Sequence, residues 1–435
     1  VVFLDLSAAY DTVWKKGLLM KLSRIIQCRN TLSLVMNMLS DRSFQVEIND
    51  KLSSKRVLND GLPQGSVLSC FLYCLYTSDL PTPFQTRRFV YADDIAIAAQ
   101  SKTFEEVEKA LRTDIRRMSI YFTKWRLKPN VAKTVSCIFH LNNRQANRTM
   151  KLRMNSKKIK HDKFPKYLGV TLDRSLTYRQ QLNCTKKKLK SRINIIQKLT
   201  GTTWGCTAKT LRITTQAMIM PIADYCSPVW MNSCHVKKVD TQINVALRLV
   251  CGAVHSTETE WLNVLSNIAP ASVLREESAM RECQKIHMNN DLPLHNDILS
   301  APINRRLRSR SPFWLFFREH ANLGSLKERW KEWWQNCAVY NKELVEDPTA
   351  EVRGVDLPRR SWLRLNRIRT GQGCCGYLMH RWNFVDSPLC QCGQVQTMQH
   401  IVESCPIHRF NGDIKQIHDV TDEALMWIEN LQVNI

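Results

Sequence analysis

The stretch Arg88-Phe89-Val90-Tyr91-Ala92-Asp93-Asp94-Ile95-Ala96-Ile97-Ala98 sets two adjacent carboxylates between two short apolar runs. Both runs are β-prone, so the pattern predicts a hairpin with Asp93 and Asp94 at its tip. Two like charges enclosed by Val, Ile and Ala are unfavourable unless cations meet them, because an isolated carboxylate is costly to desolvate. A divalent metal is the natural counter-charge, set against the commoner fate of an Asp-Asp pair as a surface turn. Asp5 is a third candidate. It closes the apolar run Val1-Val2-Phe3-Leu4, a run typical of a buried strand, at the end where ligands gather. Taken alone, a single Asp at a strand end reads more readily as a cap or turn residue.

A second set lies near the other end of the chain. Cys390-Gln391-Cys392, His400 and Cys405 follow the spacing Cys-x-Cys-x7-His-x4-Cys. Three thiols and an imidazole suit a tetrahedral zinc ion. All four positions are then filled by protein, so such a zinc is structural. Cys374-Cys375 and His408 are nearby alternatives for one of these ligands.

Around these residues the chain alternates strand-like and helical patterns. Residues 7–11 start a helical-looking segment, and 17–26 continue it with Leu18, Leu19, Leu22, Ile25 and Ile26 at helical spacing. Residues 44–58 read as a hairpin around Asn49-Asp50. Gly61-Leu62-Pro63-Gln64-Gly65-Ser66 follows, where two glycines and a proline hold an amide stiffly and let backbone approach a ligand. The plain reading of this segment is a loop capping the next helix through Ser66. Residues 67–76 form an apolar helix expected to pack under the site, and 104–120 an amphipathic helix with a solvated charged face. Strands are expected at 135–139 and 166–172, separated by a basic connector over 142–163.

Lysine and arginine number 63 against 39 acidic residues, a formal charge of +24 in 435 residues. A polyanion, nucleic acid above all, is the first partner to consider. No apolar run approaches the roughly 20 residues that cross a bilayer, and membrane binding is unsupported. Sixteen irregularly spaced cysteines suit a reducing, intracellular compartment. The segment Lys186-Lys187-Lys188-Leu189-Lys190-Ser191-Arg192 carries a dense positive face beside an apolar one, as phosphate-backbone binding requires. Residues 211–230 read as one mostly apolar helix, and 231–350 as helical. Trp314, Trp330, Trp333 and Trp334 in that region are more in keeping with a core than with base stacking.

Taken in order, Phe3-Leu4-Asp5 to Tyr10, Gly61 to Ser66, Tyr91-Ala92-Asp93-Asp94, Leu127 to Lys133-Thr134 and Tyr167-Leu168-Gly169 resemble the successive palm motifs of reverse transcriptases. The likeness is greatest to those of non-LTR (LINE-type), jockey-like retrotransposons, and it covers roughly residues 1–180. It implies an α+β fold: a right-hand polymerase palm, an antiparallel sheet with packed helices, then an α-helical thumb and a helical C-terminal region with a small zinc knuckle. The expected divisions are a palm over 1–178, a thumb over 179–255, a helical connector over 256–355 and a basic C-terminal module over 356–435.

The resemblance further implies an RNA-directed DNA polymerase acting by two-metal nucleotidyl transfer in target-primed reverse transcription. Asp5, Asp93 and Asp94 would hold two magnesium ions, with manganese a substitute. Lys133 would stand by the leaving pyrophosphate, and Tyr10 beneath the incoming sugar, where its ring excludes a 2′-hydroxyl. Gln64, Gly65 and Tyr91 would contact nucleotide and template, and Tyr167, Leu168 and Gly169 would form the primer grip. Arg364-Leu365-Asn366-Arg367-Ile368-Arg369-Thr370-Gly371 ahead of the knuckle would belong to a module gripping RNA or target DNA. The partners implied are an RNA template, a DNA primer or target and deoxynucleoside triphosphates, within a ribonucleoprotein of nucleus and cytoplasm. The chain opens inside an apolar run, as a fragment would, and is expected to lack the fingers and endonuclease that members of the family carry. The competing expectations are a catalytically inactive nucleic-acid-binding remnant and an intron-encoded maturase.

Overall fold

The computed structural model describes residues 1–201, 204–300, 312–319, 324–433 and 435. The chain divides into two compact units, Val1–Leu176 and Thr177–Ile435.

The first unit is built on a central strand, β1 (Val2–Leu4), buried along its whole length. In chain order there follow α1 (Lys15–Leu22), α2 (Arg29–Leu39), the short strands β2 (Ser43–Phe44), β3 (Glu47–Ile48), β4 (Lys51–Leu52) and β5 (Arg56–Val57), and α3 (Val67–Tyr76). Next come β6 (Arg87–Tyr91), β7 (Asp94–Ala98), α4 (Phe104–Lys124), β8 (Val135–Ser136), β9 (Arg153–Met154), β10 (Lys157–Lys158), β11 (Lys160–His161), β12 (Lys166–Tyr167) and β13 (Val170–Thr171). The main sheet has the order β11-β8-β1-β7-β6, antiparallel except for the β11–β8 pair.

Alternation along β1 divides the sheet into two faces. Val2 and Leu4, with Ile95 and Ile97 of β7, join a core with Leu18 and Leu22 of α1, Leu72, Tyr73 and Tyr76 of α3, and Leu111, Ile115 and Phe122 of α4. Phe3 and Ala96 lie in a second, smaller cluster with Cys137, against which Tyr167 and Leu172 pack. The packing of α1 against α3 and α4 is also pinned by Lys21, 4% exposed. Its Nζ donates to Tyr121 Oη at 2.9 Å and to Asp79 Oδ1 at 2.5 Å, and lies 3.7 Å from the Trp125 ring. A buried ammonium is tolerated only with such partners.

Several local expectations are corrected. The helical start expected over 7–11 is a set of turns before α1. The strand over 135–139 is regular only at Val135–Ser136. The strand over 166–172 is instead the hairpin β12–β13, its two turn residues Leu168 and Gly169 at φ 44° and 79°, the signs a two-residue hairpin turn of the tight kind demands. The hairpin expected at Asn49-Asp50 is present between β3 and β4, with φ 49° and 60° at those residues.

The second unit is helical: α5 (Arg179–Gln197), α6 (Ala208–Met218), α7 (Met220–Asp224), α8 (Ser227–Trp230), α9 (Lys237–Cys251), α10 (Thr259–Ser266), α11 (Ala271–His287), α12 (Leu294–Leu299), α13 (Phe313–Glu319), α14 (Leu326–Gln335), α15 (Arg359–Arg369), α16 (Gly376–Arg381), α17 (Ile414–His418) and α18 (Asp422–Asn430). The single helix expected over 211–230 is broken into α6, α7 and α8, with Pro221 and Pro228 in the first turns of the latter two. Proline lacks the N–H an unbroken helix needs and is accommodated at a fresh N-terminus. Parts of the helical expectation for 231–350, at 301–311 and 320–323, lie outside the described residues. One core runs from Leu182 of α5 to Ile435 and includes Trp230, Trp261, Trp334 and Trp362, so the divisions expected at 255 and 355 fall inside it. The Trp330 and Trp334 side chains are buried, and Trp334 meets Trp261 edge-on at 5.3 Å.

Arginines of α15 are the largest departure from expectation. Arg359, Arg364 and Arg369 are buried rather than displayed on a basic surface. Arg359 donates to the Val250 and Leu249 carbonyls at the end of α9, and Arg364 to those of Ile428 and Glu429 at the end of α18. Arg369 donates to the Arg353 and His418 carbonyls. Helix C-termini leave carbonyls unpaired and carry partial negative charge, so a guanidinium is a suitable internal cap.

Candidate active site and metal centre

The β6–β7 hairpin closes through Tyr91↔Asp94, leaving Ala92 and Asp93 as the two-residue turn. Ala92 has φ 52°, a left-handed conformation that disfavours a side chain and is held here by the flanking ladder. The turn lifts Asp93 off the sheet. Asp94 begins β7, and continuing the register Leu4↔Ile95 by one position sets Asp5 opposite Asp94. By alternation both lie on the face of Phe3 and Ala96, next to Tyr167, whose ring is 5.5 Å from that of Phe3. The three carboxylates thus converge from two strands.

The surroundings differ from the enclosed pair expected from the sequence. Asp5 and Asp93 are half-buried and Asp94 is exposed, since the hairpin tip stands at the end of the sheet rather than within it. Even so, desolvation, followed by the charges of Asp93 and Asp5, raises the Asp94 carboxyl above the usual carboxylate range. Among the described residues none of the three is ion-paired with lysine or arginine. Mutual repulsion without an internal counter-charge is the electrostatic signature of a site that takes cations. Carboxylate oxygens from separate strands suit a hard divalent ion.

Asp5 is fixed through its backbone. Its N–H donates to Thr134 Oγ1 at 3.3 Å, its carbonyl accepts from Asn130 N–H at 2.8 Å, and Thr134 Oγ1 donates to the Asn130 carbonyl at 2.9 Å. Lys133 is exposed between these two anchors, its N–H bonded to the Asn130 carbonyl and Oδ1, both at 3.2 Å. Asn130 and Thr134 had no assigned role in the sequence; a hydroxyl and an amide flanking a lysine were the available signal.

Tyr10 is half-buried, and its ring stacks on that of Tyr73 at 4.7 Å with 20° between planes. Burial, a hydrogen bond with the Cys70 thiol and the Asp93 charge push its hydroxyl up to about 12. The segment behind it is tied to the glycine-rich loop: Leu62 N–H donates to the Tyr10 carbonyl at 2.9 Å and Gly61 N–H to that of Val13 at 2.8 Å. Gly61, at φ 91°, is the residue that permits close approach, because a Cβ there would sit 2.7 Å from the Asp11 carbonyl oxygen. Gly65 needs glycine for its φ of 85° and has open space around it. Gln64 is exposed and donates from Nε2 to Asp11 Oδ1 at 2.7 Å. Ser66 is the residue before α3 but makes no side-chain cap. Tyr91 is 68% exposed on the edge strand. Tyr167 is half-buried, with Leu168 and Gly169 at the exposed turn of their hairpin.

In the second unit Cys390, Cys392, His400 and Cys405 come together, their candidate ligand atoms all within 4.8 Å of one another. The Cys390–Cys405 sulfurs are 3.8 Å apart, and Cys392 Sγ lies 3.2 Å from His400 Nε2. Zinc–sulfur bonds of about 2.3 Å at tetrahedral angles span an edge of about 3.8 Å, so the set fits zinc. A tight turn closed by Cys390 N–H on the Gln394 carbonyl presents the first two thiols, and His400 Nδ1 is 3.2 Å from Ser404 Oγ, a contact that orients the ring. Cys374, Cys375 and His408 lie outside the group. On α5, Leu182, Leu189, Ile193 and Ile196 are buried while Lys186, Lys187, Lys188, Lys190 and Arg192 are exposed, an amphipathic helix with a cationic outer face.

Residues 1–172 match the family described as reverse transcriptase (RNA-dependent DNA polymerase). The matched residues make up nearly the whole of the first unit, a sheet with packed helices, and the matched family is one that works with divalent metal ions. The chain is 31% identical over 202 residues to the RNA-directed DNA polymerase from mobile element jockey of Drosophila melanogaster, covering 44% of this chain and 21% of that protein. It is 30% identical over 237 residues to the sequence named for transposon BS of the same species, 53% of this chain and 26% of the relative. The chain therefore spans about a quarter of these curated relatives. A third, the Pol polyprotein from type-1 retrotransposable element R1 2 of Nasonia vitripennis, is 22% identical over 80% of this chain and 85% of its own length, a likeness that reaches into the second unit. No helix among the described residues is long and apolar enough to cross a membrane.

Proposed function

We propose that this chain is the polymerase part of a non-LTR retrotransposon protein, extending a DNA primer along an RNA template in target-primed reverse transcription. The observation that carries the proposal is the convergence of Asp5, Asp93 and Asp94 at one end of the β1–β7 pair, with the Asp94 carboxyl raised and, among the described residues, no lysine or arginine paired to them. Asp5, Asp93 and Asp94 would hold two magnesium ions, which when bound polarise phosphoryl oxygens and favour the attacking alkoxide. The protein's own contribution is placement. The Asn130 and Thr134 bonds hold Asp5 in register, and Lys133, on the same short loop, offers a cation to the departing pyrophosphate.

Tyr10 would lie beneath the sugar of the incoming deoxynucleotide and exclude a 2′-hydroxyl. Gln64, Gly65 and Tyr91 would meet nucleotide and template, and the turn of Tyr167, Leu168 and Gly169 would grip the primer. In the second unit the cationic face of α5 fits the phosphate backbone held by a thumb, and the Cys390–Cys405 set fits a structural zinc knuckle. Residence in nucleus and cytoplasm as a ribonucleoprotein goes with this reading.

The test is primer extension on a primed RNA template with deoxynucleotides and magnesium. Incorporation is expected, and Asp93→Asn is expected to reduce it by about 10³-fold or more while leaving template binding intact. Full activity of that variant would overturn the assignment.

A further inference from the structure

Tyr73 lies on α3, is 0% exposed, and supports the Tyr10 ring by stacking at 4.7 Å. Its hydroxyl is buried and has no hydrogen-bond partner. Phenylalanine would stack equally well and leave nothing unpaired, whereas an orphaned buried donor is destabilising. The oxygen is thus a feature that packing does not account for. A phenylalanine substitution therefore separates the ring from the hydroxyl. The backbone of Tyr10 is held from another direction by Leu62 and Gly61, so its ring height depends on what lies under it.

We infer that Tyr73 is a positioning residue of this site: its ring, stacked against that of Tyr10, fixes the height and tilt of Tyr10 against the incoming sugar. The inference rests on the reading of Tyr10 as the sugar-facing residue. Tyr73 touches no substrate. Loss of the flat ring lets Tyr10 sink and admits a 2′-hydroxyl, while loss of the hydroxyl alone leaves sugar choice intact.

Single-nucleotide incorporation by the full chain, with dCTP and CTP on a primed RNA template, tests this. The parent is expected to favour dCTP by about a hundredfold or more in kcat/KM. Tyr73→Leu is expected to narrow that ratio by about tenfold, chiefly through a lower KM for CTP, and Tyr73→Phe to keep it. Thermal melting checks that each variant folds, and Tyr73→Met replaces the leucine variant should that one not fold. A discriminating parent whose leucine or methionine variant discriminates equally well overturns the bracing role, as does loss of discrimination in Tyr73→Phe. A parent that uses both sugars equally overturns Tyr10 as the sugar-facing residue, and one that incorporates neither overturns the polymerase reading. In both cases this inference falls with it.

Discussion

Single side chains in this protein show how placement, not type, decides what a carboxylate does. Asp94 is exposed yet holds its proton more tightly than an ordinary carboxyl, through desolvation and then the charges of two neighbouring carboxylates. Asp224 reaches a similar end without a second carboxylate beside it. At the end of α7 its Oδ1 has no hydrogen-bond partner, and burial pushes its carboxyl up to about 6, with only partial relief from Arg275. A folded-state value above the unfolded one means that the native protein binds the extra proton. Stability therefore falls as pH rises from about 4 through about 6. Asp224→Asn should stabilise the protein by about 1–3 kcal/mol at pH 7.5 and by little at pH 4.5, as thermal melts at the two values would show. An equal effect at both would mean that the charge is not the cause.

At the scale of elements, short segments locked by backbone geometry do the positioning. Gly61 is the sharpest case. A methyl group there meets the Asp11 backbone, at a φ that L-residues avoid, so Gly61→Ala should cost about 2–3 kcal/mol by chemical denaturation and loosen the Tyr10 turn. Gly65→Ala, with the strained φ but free space, should cost less. The sequence alone pointed to the glycine-rich loop, but not to which glycine carries the close contact, because that depends on a turn 50 residues earlier. The α3 helix was readable to its ends, since an unbroken apolar run after Ser66 has no competing pattern. So was the Asp93-Asp94 hairpin tip. By contrast, the strand over 166–172 concealed a turn: Leu168 is in a conformation that nothing in a leucine announces. The α6–α8 segment was misread as one helix although Pro221 and Pro228 were in plain view, because its apolar spacing outweighed them. What stayed hidden at the site were partners, not members. Tyr73, Asn130 and Thr134 act through other residues, and such roles exist only once strands and loops are assembled.

On the scale of the whole molecule, a net charge of +24 is not spread evenly between surface and interior. The α5 lysines face solvent, whereas α15 turns Arg359, Arg364 and Arg369 inward, so a count of basic residues overstates the surface offered to a polyanion. The second unit also has one core, in which Met398, Ile401 and Val402 beside the cysteine cluster pack with residues as distant as Leu182. A metal holding Cys390, Cys392, His400 and Cys405 would therefore brace more than its own loop. Elemental analysis should find one zinc per chain, and a strong chelator should lower the melting temperature of the second unit by about 5 °C or more without shifting that of the first. Cys405→Ser should reproduce the shift with no chelator added. Unchanged melting would limit the cluster to a local role.

The inward arginines give the tail of the chain a weight that its position would not suggest. A guanidinium cannot shed its proton to escape an unsuitable environment, and the carbonyls that accept from Arg364 belong to Ile428 and Glu429. A protease cut that removed residues 428–435 would strand that permanent cation in an apolar interior and loosen the packing of α15 against α18.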